Sequence, residues 1–208
     1  MYTKDRILKT ALKLFIERGF VEVSVNDLIK EVGIAKGGFY HHFKSKDELI
    51  GEIIEKVMIP CFDDIIKSVD KSVGSPTERL QNLFQVPSDI EENLKEDLGV
   101  EKLNNRALII LIVEAIKKYE VMTNYVIQFS NELLMKVEAV FEEGRSLGEF
   151  SSNSDSKSTA WYVISVIQGA IALWIINPEI DIQMLFENNY NCVWESISKS
   201  DKFKNHAK

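Results

Sequence analysis

The sequence predicts an all-α protein: a short N-terminal three-helix segment of helix-turn-helix spacing, followed by a longer helical region. Three observations carry this. Apolar residues recur at helical spacing along nearly the whole chain, no sustained period-two alternation bounded by hairpin turns is present, and glycines and prolines fall between the periodic segments. With 208 residues the chain can hold one large core or a small and a larger domain without disulfides or a structural metal.

Each element has a local cause. Helix 1 follows Thr3 as N-cap, carries Ile7, Leu8, Ala11, Leu12 and Phe15 on one face, and stops at Gly19. Ser24 with Asp27 three residues on opens helix 2, whose inward face is Val25, Leu28, Ile29 and Val32, and Gly33 ends it. A short third helix covers about 36–43. Ser45 and Glu48 form a capping box for a fourth, with Leu49, Ile50, Ile53, Ile54 and Val57 inward. Pro60 lacks an N–H and crowds the preceding turn, so it kinks or ends that helix, which otherwise runs toward Val69. Further helices are expected at about 77–86, 88–97, 101–118, 121–143, 156–176 and 181–199. The breaks are Gly74-Ser75-Pro76, Pro87, Gly99, Gly144 with Gly148, and Asn177-Pro178. Ser151 to Ser158 reads as a surface loop.

Charge separates the two regions. The net charge is −7, yet residues 1–50 carry nine Lys or Arg against seven Asp or Glu, and the rest carries sixteen against 25. The balance is +2 for the first region and −9 for the second, so an acidic total does not exclude a phosphate-rich partner of the first fifty residues. Cys61 and Cys192 match no metal-ligand or CxxC spacing and read as reduced structural thiols, which with a polar N-terminus predicts a cytoplasmic setting. The longest nearly apolar stretch, Ala160 to Ile176, is shorter than the ~20 residues of a membrane span and reads as a buried helix, so no membrane partner is expected.

Helices 2 and 3 are joined at Gly33-Ile34-Ala35, the spacing of a helix-turn-helix. Phe39 and Phe43, four apart, anchor the third helix inward, and Lys36, Gly37, Tyr40 and His41 lie on its other faces, a stripe of donors suited to phosphate oxygens. Gly37 and Gly38 each cost about 1 kcal/mol of helix propensity relative to alanine, but bare backbone permits close approach to a surface. The alternative is that 33–38 is a loop.

The run Ser24-Val25-Asn26-Asp27-Leu28, then Gly33 through Phe43 and on through Lys44-Ser45-Lys46-Asp47-Glu48-Leu49, closely resembles the N-terminal domain of the tetracycline-repressor (TetR) family. Helix 1, with Ala11, Phe15 and Gly19-Phe20 in register, extends the match over about residues 3–50. The resemblance implies a DNA-binding domain over residues 1–48 and a C-terminal helical effector-binding and dimerisation domain over 49–208. It further implies that Lys36, Tyr40, His41 and Lys46 contact DNA, mostly phosphates. Ser24 would cap helix 2 and touch the backbone, and Gly37 and Gly38 would lie against the major groove. Threonine or serine is commoner in the family where Gly38 stands, so one hydroxyl contact is missing. His42 either joins this set or packs against helix 1; Lys44 is a contact or a solvated charge; Lys4 and Arg6 reach the backbone or minor groove, or do not.

A weaker likeness, Glu142-Glu143-Gly144-Arg145 to Gly148-Glu149-Phe150, supports the family's C-terminal domain. Helix 156–176 is apolar all round, which a partner subunit explains. Ile167, Ala170, Ile171, Trp174, Phe186, Val193 and Trp194 are the expected dimer contacts, and a homodimer fits a palindromic operator in double-stranded DNA. An unidentified small-molecule effector would meet Met122, Tyr125, Phe129, Trp161, Ser165 and Gln168, residues that equally suit a core. No cofactor or metal is expected. No HExxH, GxSxG, Walker A or strand-borne GxGxxG is present, so an enzyme is not expected. The predicted function is a ligand-responsive repressor that releases its operator on binding a small molecule. The alternative is an activator or a protein-responsive regulator of the same fold.

Overall fold

The computed structural model describes residues 3–70, 74–85, 105–151 and 155–198. Packing divides the chain into two compact units, residues 1–63 with 88–127 and residues 64–87 with 128–208. The packing unit holding the helix-turn-helix is therefore larger than the expected domain of residues 1–48. The expected helix 88–97 lies outside the described residues.

In the first unit α1 spans Thr3–Glu22, α2 Val25–Val32, α3 Lys36–His42 and α4 Lys46–Ile53; α5 begins at Ile59 and α7 spans Asn105–Lys118. Gly19, at φ 79° and ψ 167°, breaks the path of α1, but the chain turns helically again to Glu22 instead of stopping. Ser24 and Asp27 close a full capping box on α2, and Gly33 ends it in the left-handed conformation at φ 71°. Ser45 accepts from the Glu48 amide at the start of α4. The core is continuous: Ile7, Ala11 and Phe15 of α1, Leu28 and Val32 of α2, Phe39 of α3, Leu49, Ile50 and Ile53 of α4, and Leu108, Leu111 and Ala115 of α7.

Pro60 acts one turn earlier than its own position. Residues Ile54–Met58 wind as a π-helical turn, with the Ile59 amide donating to the Ile54 carbonyl five residues back, and α5 (Ile59–Ser68) follows without a stop. Widening the preceding turn is one way a helix accommodates a ring that clashes with the carbonyl four residues back.

The second unit contains α6 (Pro76–Asn82), most of α8 (Glu120–Leu147), α9 (Ser156–Ile176) and α10 (Ile182–Ile197). Asp155 and Asp181 cap α9 and α10. Contrary to expectation, Gly144 does not break α8; the helix runs on to Leu147, and Gly148, at φ 77°, ends it. Gly144 is instead a packing position, because a Cβ there would overlap Cδ2 and Cε2 of the Phe150 ring and lie 3.0 Å from Cγ. That buried ring sits between Phe141 at 5.3 Å and Trp194 at 6.2 Å, and Phe150 bridges to Ser198 beyond α10.

Its neighbours in the 142–150 motif are equally structural. Glu143 accepts from Arg79, which is only 3% exposed, at 2.7 Å, and Glu149 accepts from the Thr77 amide and hydroxyl at 3.0 and 2.6 Å. The motif thus ties α6, α8 and α10 into one body.

Neither Cys61 nor Cys192 is in a disulfide; Cys61 is buried with Sγ donating to the Val57 carbonyl, whereas Cys192 is exposed. α9, at 21 residues, is by length and composition sufficient to cross a membrane, with 22% of its most apolar window buried within the protein. The stretch counted from Ala160 was shorter because the first helical turn is polar.

Candidate nucleic-acid interface

The three elements that build the site are short and locally specified. Turn residues 33–35 leave α2 through the left-handed Gly33, and α3 starts at Lys36 with Gly38 and Phe39 amides both donating to the Ala35 carbonyl. Phe39 and Phe43 are buried, with their rings 5.9 Å apart, and this anchor dictates which face of α3 points outward. That face carries Lys36, Gly37, Tyr40 and His41, all exposed, with Tyr40 at 46%.

The Lys36 ammonium lies 5.9 Å from the Tyr40 ring centroid, and Tyr40 packs edge-on against Phe39. A cation–π pair at an exposed site is worth ~0.5–1 kcal/mol, a modest bias on the orientation of the lysine. Nothing lies within 4 Å of a Cβ built at Gly37, and only Ile34 approaches one at Gly38, at 3.7 Å, so both positions offer bare backbone on the outer surface. His42 is half-buried with its ring 4.9 Å from that of His41, so it is intermediate between the two alternatives.

Two expected contacts have other partners. Asp27 Oδ2 accepts from the Ser24 hydroxyl at 2.5 Å and the Ser24 amide at 2.8 Å, which hold the Asp27 carboxyl below its usual pKa, while the Ser24 hydroxyl accepts from the Asp27 amide at 3.2 Å. The Ser24 hydroxyl is a cap first. The half-buried ammonium of Lys46 donates to the Phe20 carbonyl at 2.6 Å and the Val23 carbonyl at 2.7 Å, and so clamps the end of α1. Burial, and then the nearby Lys118, lower its pKa. Arg6 likewise donates to the Val32 carbonyl at 2.6 Å, and Lys4 pairs with Glu52 at 2.7 Å. Backbone acceptors 23 to 26 residues away leave no trace in residue identity.

The matching of residues 7–53 to the model for bacterial regulatory proteins of the tetR family falls on these same elements. Residues 7–53 thus carry the N-terminal domain of the TetR family. It is 34% identical over 90 residues to the HTH-type transcriptional repressor KstR2 of Mycobacterium tuberculosis, an alignment covering 43% of this chain and 44% of that protein. It is 37% identical over 93 residues to the negative transcriptional regulator IcaR of the Staphylococcus aureus biofilm operon icaADBC, covering 43% and 48%. The chain thus spans under half the length of these curated relatives. The TetR fold extends further: a SmeT–triclosan complex superposes with a TM-score of 0.68 at 21% identity, covering 98% of this chain and 95% of that one.

The expected effector residues fall in both units. Met122 and Tyr125 belong to the first unit, where Met122 is fully buried in the core and Tyr125 donates to Asp63 and packs on Phe62. In the second unit Phe129 is buried while Trp161, Ser165 and Gln168 are exposed on α9. A cleft of about 510 Å³ in that unit is lined by other residues, among them Asp70, Arg79, Lys136 and Glu142.

The expected dimer residues divide as well. Ala170, Phe186 and Val193 are buried inside the protomer, where α9 packs on α10 and the Phe186 ring meets Phe84 edge-on at 6.3 Å. Ile167, Ile171, Trp174 and Trp194 are half-buried. The outward apolar side chains are Trp161, Tyr162, Leu173, Ile176 at 78% exposure, and Met184, residues that an all-apolar helix gave no phase to pick out.

Proposed function

We propose that the chain is a dimeric, DNA-binding transcriptional repressor of the bacterial cytoplasm that releases its operator when a small molecule binds its C-terminal helices. The observation that carries the DNA reading is the outer face of α3: a lysine oriented on a tyrosine, a histidine, and two glycines without side chains, on a helix anchored by two buried phenylalanines. In this reading Lys36, Tyr40 and His41 bind phosphate oxygens, and Gly37 and Gly38 let the backbone enter the major groove. Ser24 keeps α2 in register, with His42 at the edge of the contact.

The exposed apolar row on α9 and Met184 on α10 support a homodimer. Large side chains left in water cost about 25 cal/mol per Å² of apolar surface, and a second copy related by a two-fold axis covers the same row on both chains. Two recognition helices then meet half-sites of a palindrome about one helical turn, or a multiple of it, apart. The names of the relatives, a repressor and a negative regulator, support repression, and the triclosan complex of SmeT supports a small-molecule effector. A ligand that prefers the conformation with misplaced recognition helices weakens DNA binding by the factor with which DNA weakens ligand binding.

A reporter driven by a promoter next to the protein's own gene tests the reading. The protein is expected to lower transcription, and Lys36→Ala with Tyr40→Ala to restore it. Transcription raised by the protein would establish activation instead.

A further inference from the structure

The break in α1 frees a backbone amide, and a residue nearly a hundred positions away receives it. At φ 79° Gly19 leaves the helical path, and the Phe20 amide donates to Glu114 Oε2 of α7 at 3.2 Å. The fit is close: a Cβ built on Gly19 would lie 3.2 Å from the same oxygen. On the other side of this turn the Lys46 ammonium holds the carbonyls of Phe20 and Val23. The residue following Lys46, Asp47, accepts from the Tyr119 hydroxyl at 3.1 Å, just beyond the end of α7, and the Tyr119 ring packs edge-on against Phe20 at 5.8 Å.

These contacts form one knuckle. An anion from α7 and a cation from α4 grip the amide and carbonyls of the 20–23 turn, and a phenol ties α7 to the first turn of α4. That turn begins four residues after the end of α3, and the connection is stiffened by the buried Phe43 and by the Lys44 amide donating to Glu48. A shift of α7 is therefore transmitted through backbone hydrogen bonds to the start of α4 and so to the tilt of α3.

We propose that Glu114 and Tyr119 are positioning residues for the recognition helix, coupling the placement of α7 to that of α3 through the 20–23 turn. The functional side of this inference rests on the DNA-binding reading; its structural side does not. If α7 moves, the Phe20 amide loses its acceptor and Lys46 loses the fixed carbonyls that hold it, so α3 loses its seat while the Phe15 and Phe39 core remains intact.

The test uses the full-length chain with Glu114→Ala, Glu114→Gln and Tyr119→Phe. Affinity is measured for the promoter fragment nearest the protein's own gene, and amide hydrogen exchange is measured over residues 19–24 and 36–49. Glu114→Ala is expected to weaken DNA binding by roughly two- to tenfold, the range a single hydrogen bond allows, and to speed exchange in both segments together. Glu114→Gln retains an oxygen acceptor for the Phe20 amide and is expected to restore both properties to within about twofold of wild type. Tyr119→Phe loses only its bond to Asp47 and is expected to speed exchange at 45–49.

Faster exchange confined to 19–24, with 36–49 and DNA affinity unchanged, overturns the proposal by showing a local cap only. Failure of Glu114→Gln to rescue overturns the role of the Phe20 acceptor. If the wild-type chain binds no DNA, the repressor reading falls, and the exchange measurements still decide the coupling: concerted change supports it and unchanged α3 refutes it.

Discussion

Two glycines in helix interiors should respond to alanine with opposite sign. At Gly51 in α4 nothing lies within 4 Å of an added Cβ, so Gly51→Ala is expected to stabilise the protein by about 0.5–1 kcal/mol through helix propensity alone. Gly144→Ala gains the same propensity, but its Cβ collides with two atoms of the Phe150 ring. That ring is enclosed by Phe141 and Trp194, so it has no free space in which to turn. Overpacking a filled core costs ~1–3 kcal/mol, and an overlap with a fixed aromatic ring belongs at the upper end. The net expectation is a loss of about 2 kcal/mol, or roughly 4–8 °C in melting temperature for a chain of this size. Urea denaturation of both variants beside wild type measures the two signs. A Gly144→Ala protein as stable as Gly51→Ala would refute the placement of Phe150 over α8, and with it the structural role of the 142–150 motif.

Further predictions concern charge. Lys36→Ala is expected to reduce the salt dependence of DNA binding by about one unit of slope, since it removes one phosphate contact. Lys46→Ala is expected to leave the slope unchanged while lowering the melting temperature, because its ammonium holds two carbonyls; binding titrations at several salt concentrations separate the two. Asp27, Glu78 and Asp155 cap helices through bonds with Ser24, Ser75 and Ser158, which lower their carboxyl pKa values. A depressed carboxyl pKa stabilises the fold above the ordinary value and loses that contribution as pH falls through the folded one. Urea midpoints are therefore expected to drop below about pH 4, and Ser24→Ala and Ser75→Ala to flatten that acid limb; an unchanged limb would show that the caps do not contribute.

The helices of the first unit were legible because their causes are local. Ser24 with Asp27, Gly33, and Ser45 with Glu48 each act within one turn, so the spacing of residue types suffices to place α2, α3 and α4. The partners of Lys46 left no signal, because they are backbone carbonyls, which every residue has. Glu114 and Tyr119 left no signal, since their partners lie 72 to 94 residues away. Gly144 looked like a helix break, the usual meaning of glycine there, whereas its cause is a ring six residues further on. On α9 apolar side chains fill every face, so periodicity had no phase with which to divide core Ala170 from exposed Leu173 and Ile176. Met122 and Phe129 illustrate the same degeneracy for a ligand pocket: apolar side chains on a helix look alike whether they meet a ligand or a core.

The central claim is that the outer face of α3 reads DNA. Fluorescence anisotropy titration of the full-length protein against labelled promoter fragments near its own gene, beside scrambled DNA of equal length, tests it most directly. The account predicts salt-sensitive binding that prefers the promoter and is lost or greatly weakened in Lys36→Ala with Tyr40→Ala, a double variant that remains folded because both side chains are exposed. Promoter binding by that variant with wild-type affinity would contradict it.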